Sequence, residues 1–286
     1  EPRGVDHLLL THAHIDHSGL IPKLARHGFE GRILATEPTL DLLKFMLPDS
    51  GHIQEFEVQR LNERNRRRGL PQVEPIYTRA DAESCLRQRR EVPYGQWIEP
   101  GPGVRARWWN AGHILGSASI EVEVADAVRP VRILFSGDIG PDEKAFHADP
   151  EGPAGVDHLL VESTYGDRDR EDTTLEQRLA RLETEVRDAL AAGGNLLIPA
   201  FAVERTQEVL DGLAQLMRDR RVPRAAIYID PPLARDVTRV FAEHGDRLFR
   251  GADVRFTETV AESKAINAIR GGAIVMAASG MCEAGR

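Results

Sequence analysis

Apolar and polar positions alternate along this chain in a way that divides it into short strands and amphipathic helices. Residues 5–11 (Val-Asp-His-Leu-Leu-Leu-Thr) predict a buried strand that opens directly into a histidine-rich stretch. A helix is expected over about 20–26 and a short strand at 33–35. Thr36 is placed to cap a helix whose first turn holds Glu37 and Pro38 and which reaches about Phe45. A separate helix is expected over 53–68, carrying Arg60, Arg64, Arg66, Arg67 and Arg68. Residues 104–109, 118–124, 131–135 and 157–161 read as strands.

After residue 170 the texture changes. Thr173 with Glu176 suggests a capping box. Leu175, Leu179, Leu182, Val186 and Leu190 then recur at spacings of three and four, which is one face of a helix ended by Gly193-Gly194. Strands at 195–199, 225–229, 253–257 and 272–278 alternate with helices at 204–219, 232–243 and 260–269. Such alternation implies parallel pairing with helical crossovers. A domain boundary is therefore expected near residue 168, separating 1–168 from 169–286.

Composition narrows the class. With 41% hydrophobic and 29% charged residues, the balance is that of a soluble globular protein. The longest apolar runs are a few residues, against about 20 for a membrane span, so no membrane role is expected. Two cysteines, Cys85 and Cys282, are too few for a disulfide framework or a four-thiolate zinc site, which suits a reducing cytoplasm. The net charge of −8 argues against a non-specific nucleic-acid coat but leaves room for a local basic groove. The first residue is Glu1 rather than Met, and no signal peptide follows it.

The main chemical signal is Thr11-His12-Ala13-His14-Ile15-Asp16-His17-Ser18-Gly19, with four potential ligands (His12, His14, Asp16 and His17) at a strand end. Imidazole and carboxylate donors suit zinc and neighbouring divalent metals, and alternate residues of such a loop can face two ions. The alternative, an exposed histidine-rich turn, has little to recommend it after an apolar strand. His113 lies in Gly112-His113-Ile114-Leu115-Gly116-Ser117 between two strands. Asp138 ends the apolar strand of Phe135-Ser136-Gly137-Asp138-Ile139-Gly140. Alone, the first would be a structural histidine and the second a turn aspartate. In this order they read as further ligands.

On His12, His14, Asp16, His17, His113 and Asp138 the sequence resembles the metallo-β-lactamase superfamily. The resemblance implies an α/β fold, an αββα sandwich with metals at the sheet edge. It implies one Zn2+ on His12, His14 and His113, a second on Asp16 and His17, and Asp138 bridging both. Three further stretches, Val161-Glu162-Ser163-Thr164-Tyr165-Gly166-Asp167-Arg168, Asn195 to Glu208 and Ala278 to Arg286, resemble the β-CASP branch of nucleic-acid-processing nucleases. They imply an inserted Rossmann-like parallel α/β domain, and most closely the RNA-cleaving group. The implied activity is hydrolysis of RNA phosphodiester bonds by an endo- or exoribonuclease, with Asp16 and Glu162 as catalytic residues. Glu162 would orient a histidine acting as general acid. The expected partner is single-stranded RNA, no membrane is involved, and a homodimer is compatible with the reading.

The family pattern also has an aspartate upstream of the first histidine cluster and two histidines downstream of the Ser-Gly-Met stretch, and many of its members have a histidine where Arg170 stands. The chain is thus read as an internal fragment, expected to bind one zinc well and a second poorly and to cleave little or nothing by itself. Competing readings are a DNA nuclease of the same branch, a small-molecule metallo-hydrolase and a non-catalytic RNA-binding subunit. The α/β segment after 168 argues against the small-molecule hydrolase, and the presence of every family ligand that falls between Glu1 and Arg286 argues against a true non-catalytic subunit, though not against loss by truncation. The Arg60–Arg68 cluster reads better as a solvated face than as a phosphate contact. Trp108 and Trp109 read better as core than as base-stacking residues. Arg205 is a weaker phosphate candidate, and Pro231-Pro232 reads as a proline turn opening a helix.

Overall fold

A computed structural model describes all residues except 145, 169–173, 231, 246–248, 250–251 and 278–286. The chain divides into two compact units, Glu1–Asp142 with Ala148–Gly166, and Glu143–His147 with the residues from Asp167 onward. Among the described residues no helix is long and apolar enough to cross a membrane.

In the first unit the order is β1 (His7–Leu9), α1 (Ile15–Ser18), α2 (Ile21–Arg26), β2 (Arg32–Ala35), α3 (Glu37–Arg67), α4 (Arg79–Cys85), β3 (Arg89–Glu91), β4 (Ile98–Gly101), β5 (Val104–Asn110), β6 (Ala118–Val124), β7 (Val131–Phe135) and β8 (His158–Leu160). Two sheets result. One is β1-β2-β3, all parallel. The other is β4-β5-β6-β7-β8, antiparallel as far as β7 and parallel between β7 and β8. The period-two alternation of β5 and β6 sends Ala106, Trp108, Ala118 and Ile120 to one face, where they pack with Leu34 and Val92 of the smaller sheet's region. Trp108 is fully buried and its Nε1 donates to the Leu10 carbonyl at 3.1 Å.

Several elements differ from the sequence expectation. The helices anticipated at 36–45 and 53–68 are one helix, α3, of 31 residues and about 46 Å. Pro48 lies inside it. Proline removes one intrahelical hydrogen bond, but the helix keeps Met46, Leu47, Pro48 and Gly51 buried on either side of that point. The last turns of α3 are exposed and hold the arginine cluster, with the Arg60 guanidinium 5.7 Å from the Phe56 ring. Helix α4 was not anticipated. It starts at a capping box in which Thr78 accepts from the Asp81 N–H and Asp81 from the Thr78 N–H. Strands β3 and β4 were also missed, because three exposed charged residues and a Pro-Gly ending carry no apolar signal.

In the second unit α5 (Leu175–Ala191), β9 (Leu196–Pro199), α6 (Arg205–Arg218), β10 (Ala226–Asp230), α7 (Pro232–His244), β11 (Asp253–Phe256), α8 (Val260–Ala265) and β12 (Ala273–Ala277) form a sheet ordered β11-β10-β12-β9. Every pair is parallel, as the alternation implies. Val186, Leu210, Leu213, Ile227, Ile229, Ile274 and Met276 make its core. The cap of α5 is Thr174 with Gln177, one residue later than expected. Thr173, Arg170, Pro231 and the closing stretch with Cys282 lie outside the described residues.

Candidate metal centre

The strand ends of the first unit deliver the predicted ligands to one place. The carbonyl of His14 accepts the Ser18 N–H, and the Ser18 hydroxyl donates to the carbonyls of Ala13 and His14, which tightens the histidine loop into α1. The His113 loop is held on the other side. Its own N–H and that of Ile114 donate to Ser117 Oγ, while Thr36 and Thr39 at the start of α3 both donate to the Gly116 carbonyl. Gly116 has φ +81°, and a Cβ there would sit 2.4 Å from the Thr39 nitrogen, so only glycine fits. Gly137, at φ +56°, would meet Thr11 Cβ at 2.8 Å, which lets the chain turn from β7 into Asp138 against the histidine strand.

Four imidazoles and two carboxylates converge. His12, His14, His113 and Asp138 each offer a donor atom within 4.8 Å of the others, as do Asp16, His17 and Asp138. Asp138 belongs to both groups and divides its oxygens between them. Oδ2 lies 3.8 Å from His12 Nε2 and 3.5 Å from His113 Nε2, while Oδ1 lies 3.2 Å from His17 Nε2. His14 Nδ1 and His113 Nε2 are 3.1 Å apart. Asp16 Oδ2 is 3.4 Å from His17 Nε2, and the Asp16 side chain is mostly exposed.

The electrostatics suit cation ligation. Burial, followed by the neighbouring imidazoles, pushes His12 down to about 2 and His14 down to about 4, so both are neutral, lone-pair-bearing donors at neutral pH. His12 Nε2 is buried with no hydrogen-bond partner, an arrangement that normally costs free energy. Its Nδ1 is 3.1 Å from Thr11 Oγ1, the kind of second contact that orients a ligating imidazole. An orphaned buried nitrogen facing a shared carboxylate fits a bound divalent metal.

Glu162 follows β8 beside this cluster. Its Oε1 accepts the Ile139 N–H at 2.6 Å and its Oε2 the Thr164 hydroxyl at 2.5 Å. Burial by itself would raise its pKa, but these hydrogen bonds outweigh it and hold the carboxyl below its usual value. Thr164 thereby helps to hold the Glu162 carboxylate in place. Arg205, itself exposed at the start of α6, pairs with Glu208 at 2.9 Å. Trp109, unlike Trp108, lies on the opposite sheet face and donates to Glu121 at 2.9 Å. Glu121 was missed by sequence reasoning; its only signal is an acid in the middle of an apolar strand.

Comparison with known proteins agrees with this geometry. Residues 1–223 match the metallo-beta-lactamase superfamily model and residues 206–286 the Beta-Casp domain model. The chain is 35% identical to a protein named ribonuclease TTHA0252 from Thermus thermophilus, over all of this chain and 63% of that protein. It is 29% identical to transcription termination factor FttA of Cenarchaeum symbiosum, over 98% of this chain and 43% of that protein. It is 32% identical to FttA of Pyrococcus abyssi, over 79% of this chain and 33% of that protein. The chain thus spans less than two thirds of the length of these curated relatives. It belongs to the metallo-β-lactamase superfamily and carries the Beta-Casp domain in its C-terminal part.

Proposed function

We propose that the chain forms the catalytic portion of a zinc-dependent ribonuclease that hydrolyses phosphodiester bonds of single-stranded RNA in the cytoplasm. The observation that carries this reading is the division of Asp138 between two donor groups, one oxygen toward His12 and His113 and the other toward His17. In this reading residues 1–168 are the metallo-β-lactamase domain and 169–286 the β-CASP domain. His12, His14 and His113 would hold one Zn2+, Asp16 and His17 would contribute to a second, and Asp138, a member of both donor groups, would serve both. Three imidazoles with a carboxylate are a preferred zinc donor set. The relatives named ribonuclease and transcription termination factor support an RNA substrate.

Zinc at this centre supplies Lewis acidity toward a phosphodiester oxygen and toward water. The protein's own part is positioning and proton handling. Asp138 keeps the two donor groups in register and contributes negative charge between them. Asp16, the most exposed member, faces solvent and would orient an incoming water. Glu162 stays ionised and orients the general acid that returns a proton to the leaving oxygen.

The test is metal content of the full-length protein by mass spectrometry, together with cleavage of end-labelled single-stranded RNA with and without a chelator. Bound zinc and chelator-sensitive cleavage are expected. Absence of chelator-sensitive RNA cleavage overturns the reading, and preferential cleavage of single-stranded DNA in a parallel arm would move it to a DNA nuclease.

A further inference from the structure

The central strand of the five-stranded sheet, β6, carries one acidic side chain with no exposure, Glu121. Its oxygens are divided between the neighbouring strands. Oε2 accepts Arg107 Nε at 3.2 Å, Arg107 Nη2 at 2.8 Å and Trp109 Nε1 at 2.9 Å, all from β5. Oε1 accepts Arg132 Nε at 2.8 Å and Nη2 at 2.5 Å, from β7. The Arg107 guanidinium also lies 4.5 Å from the Trp97 ring centroid and 4.2 Å from that of Trp109. Arg132 Nη1 donates to the carbonyls of Ala154 and Gly155, both at 3.2 Å, on the segment entering β8.

These are the strands that deliver the later members of the metal centre. Strands β5 and β7 both run antiparallel to β6, and β8 runs parallel to β7. Their C-terminal ends therefore emerge at one edge, where β5 leads to His113, β7 to Asp138 and β8 to Glu162. Side chains on a strand repeat with period two, so a slip by two residues keeps each one on its face while displacing the loop at the strand's end by about 6.8 Å. Apolar patterning resists such a slip only weakly. On the inner face, the size difference between Trp108 and Ala106 opposes it. On the outer face Glu121 opposes it, because a slip that set Arg105 opposite Glu121 would carry Trp109 out of reach of its Oε2, and a slip the other way would part Arg105 from Glu123.

We propose that Glu121 is a positioning residue of the metal centre: by saturating its carboxylate with donors from β5 and β7 it ties both strands to β6, and thereby holds the spacing of His113 and Asp138. The inference rests on the metal reading above. Buried ionic networks contribute little net stability, and setting register is their best-attested use. The hydrogen bonds from both arginines and Trp109 outweigh burial and keep the carboxyl ionised.

The test uses the full-length protein and two variants. The triple variant Arg107→Met, Glu121→Leu, Arg132→Met removes the charges and keeps the volume. Glu121→Asp keeps the charge but withdraws it by one methylene. The readouts are the thermal midpoint and a Co2+ titration followed by its visible d–d bands in competition with a chelator. The triple variant is expected to fold, since well-packed apolar replacement of a buried ion network is often neutral. Its Co2+ affinity is expected to fall about tenfold or more, the size found when groups that orient ligands are lost. The band shape changes with it. A folded triple variant with the parent's affinity and spectrum overturns the inference. Should the triple variant not fold, Glu121→Asp decides by the same readouts, with weakened Co2+ binding expected and unchanged binding overturning it. A parent protein that binds no Co2+ defeats the metal reading and this inference with it, whereas equal binding by parent and variant defeats this inference alone.

Discussion

The carboxylate of Glu162 accepts the backbone N–H of Ile139 at 2.6 Å. Ile139 directly follows Asp138, so Glu162 anchors the loop carrying the carboxylate that belongs to both donor groups. A side chain in that position can be removed without removing any metal donor. Glu162→Gln is accordingly expected to retain the parent's metal content while kcat for RNA cleavage falls about a hundredfold or more, the range for loss of general acid–base function. Metal analysis and steady-state kinetics on the same preparation check this. Metal loss in Glu162→Gln would instead make Glu162 part of the binding site.

The two donor groups share one residue, and this predicts unequal effects of ligand removal. His17→Ala is expected to lower metal content by about one ion per chain, whereas Asp138→Ala weakens both, because a bridging carboxylate serves both ions. Metal stoichiometry measured after dialysis against a weak chelator distinguishes them. Equal stoichiometry in the two variants would contradict the bridging assignment.

Trp108 fills the space between the two sheets of the first unit and donates to Leu10, one position before the end of the strand-to-histidine passage. Trp108→Ala is expected to destabilise this unit by about 3–5 kcal/mol, the cost of a large buried side chain. Trp108→Phe, which keeps most of the area and loses the hydrogen bond, is expected to cost about 1 kcal/mol. Urea denaturation followed by circular dichroism gives both values.

In the second unit Glu204 stands at φ +69° and ψ −65°, a γ-turn conformation that is rare for a residue with a side chain. The Arg205 N–H closes the turn on the Val203 carbonyl at 2.9 Å. The buried carboxylate of Glu204 accepts from His147 at 2.8 Å and Lys144 at 3.0 Å, and Glu208 is 3.7 Å from the same lysine. Burial alone would raise the Glu204 pKa, but His147 and Lys144 outweigh it and hold the value below normal. A depressed carboxylate pKa contributes stability above the unfolded value, near 4.3 for glutamate, and loses it as pH falls through the folded value. The urea midpoint of the second unit should therefore drop on acidification below about pH 4.3, and Glu204→Gln should flatten that drop. An acid limb unchanged in Glu204→Gln would show that other groups control it.

Much of the candidate centre was legible because its donor residues sit in short motifs at strand ends. An apolar run followed by His-x-His-x-Asp-His, or ended by Ser-Gly-Asp, declares both the strand and its chemistry within ten residues. Strands β6 and β7 and the alternation of the second unit were readable for the same reason. Helix α3 was not read as one piece, because Pro48 looks like a stop in a local window and is tolerated only within a buried face. Strand β3 was missed because Arg89, Arg90 and Glu91 are all exposed, and its pairing with β2 supplies what its side chains do not.

The sequence by itself determined the identities and order of the donors and the ends of the strands that hold them, since those depend on neighbours a few positions apart. Tertiary structure alone decided which oxygen of Asp138 faces which imidazole, that His14 meets His113 at 3.1 Å, and that Glu121 ties β5 to β7. The physical reason is separation along the chain. His14 and His113 are 99 positions apart, and Trp108 and Leu10 are 98. Contacts at that range are set by strand register and by the packing of one sheet on another, and neither leaves a mark in any local stretch of residues.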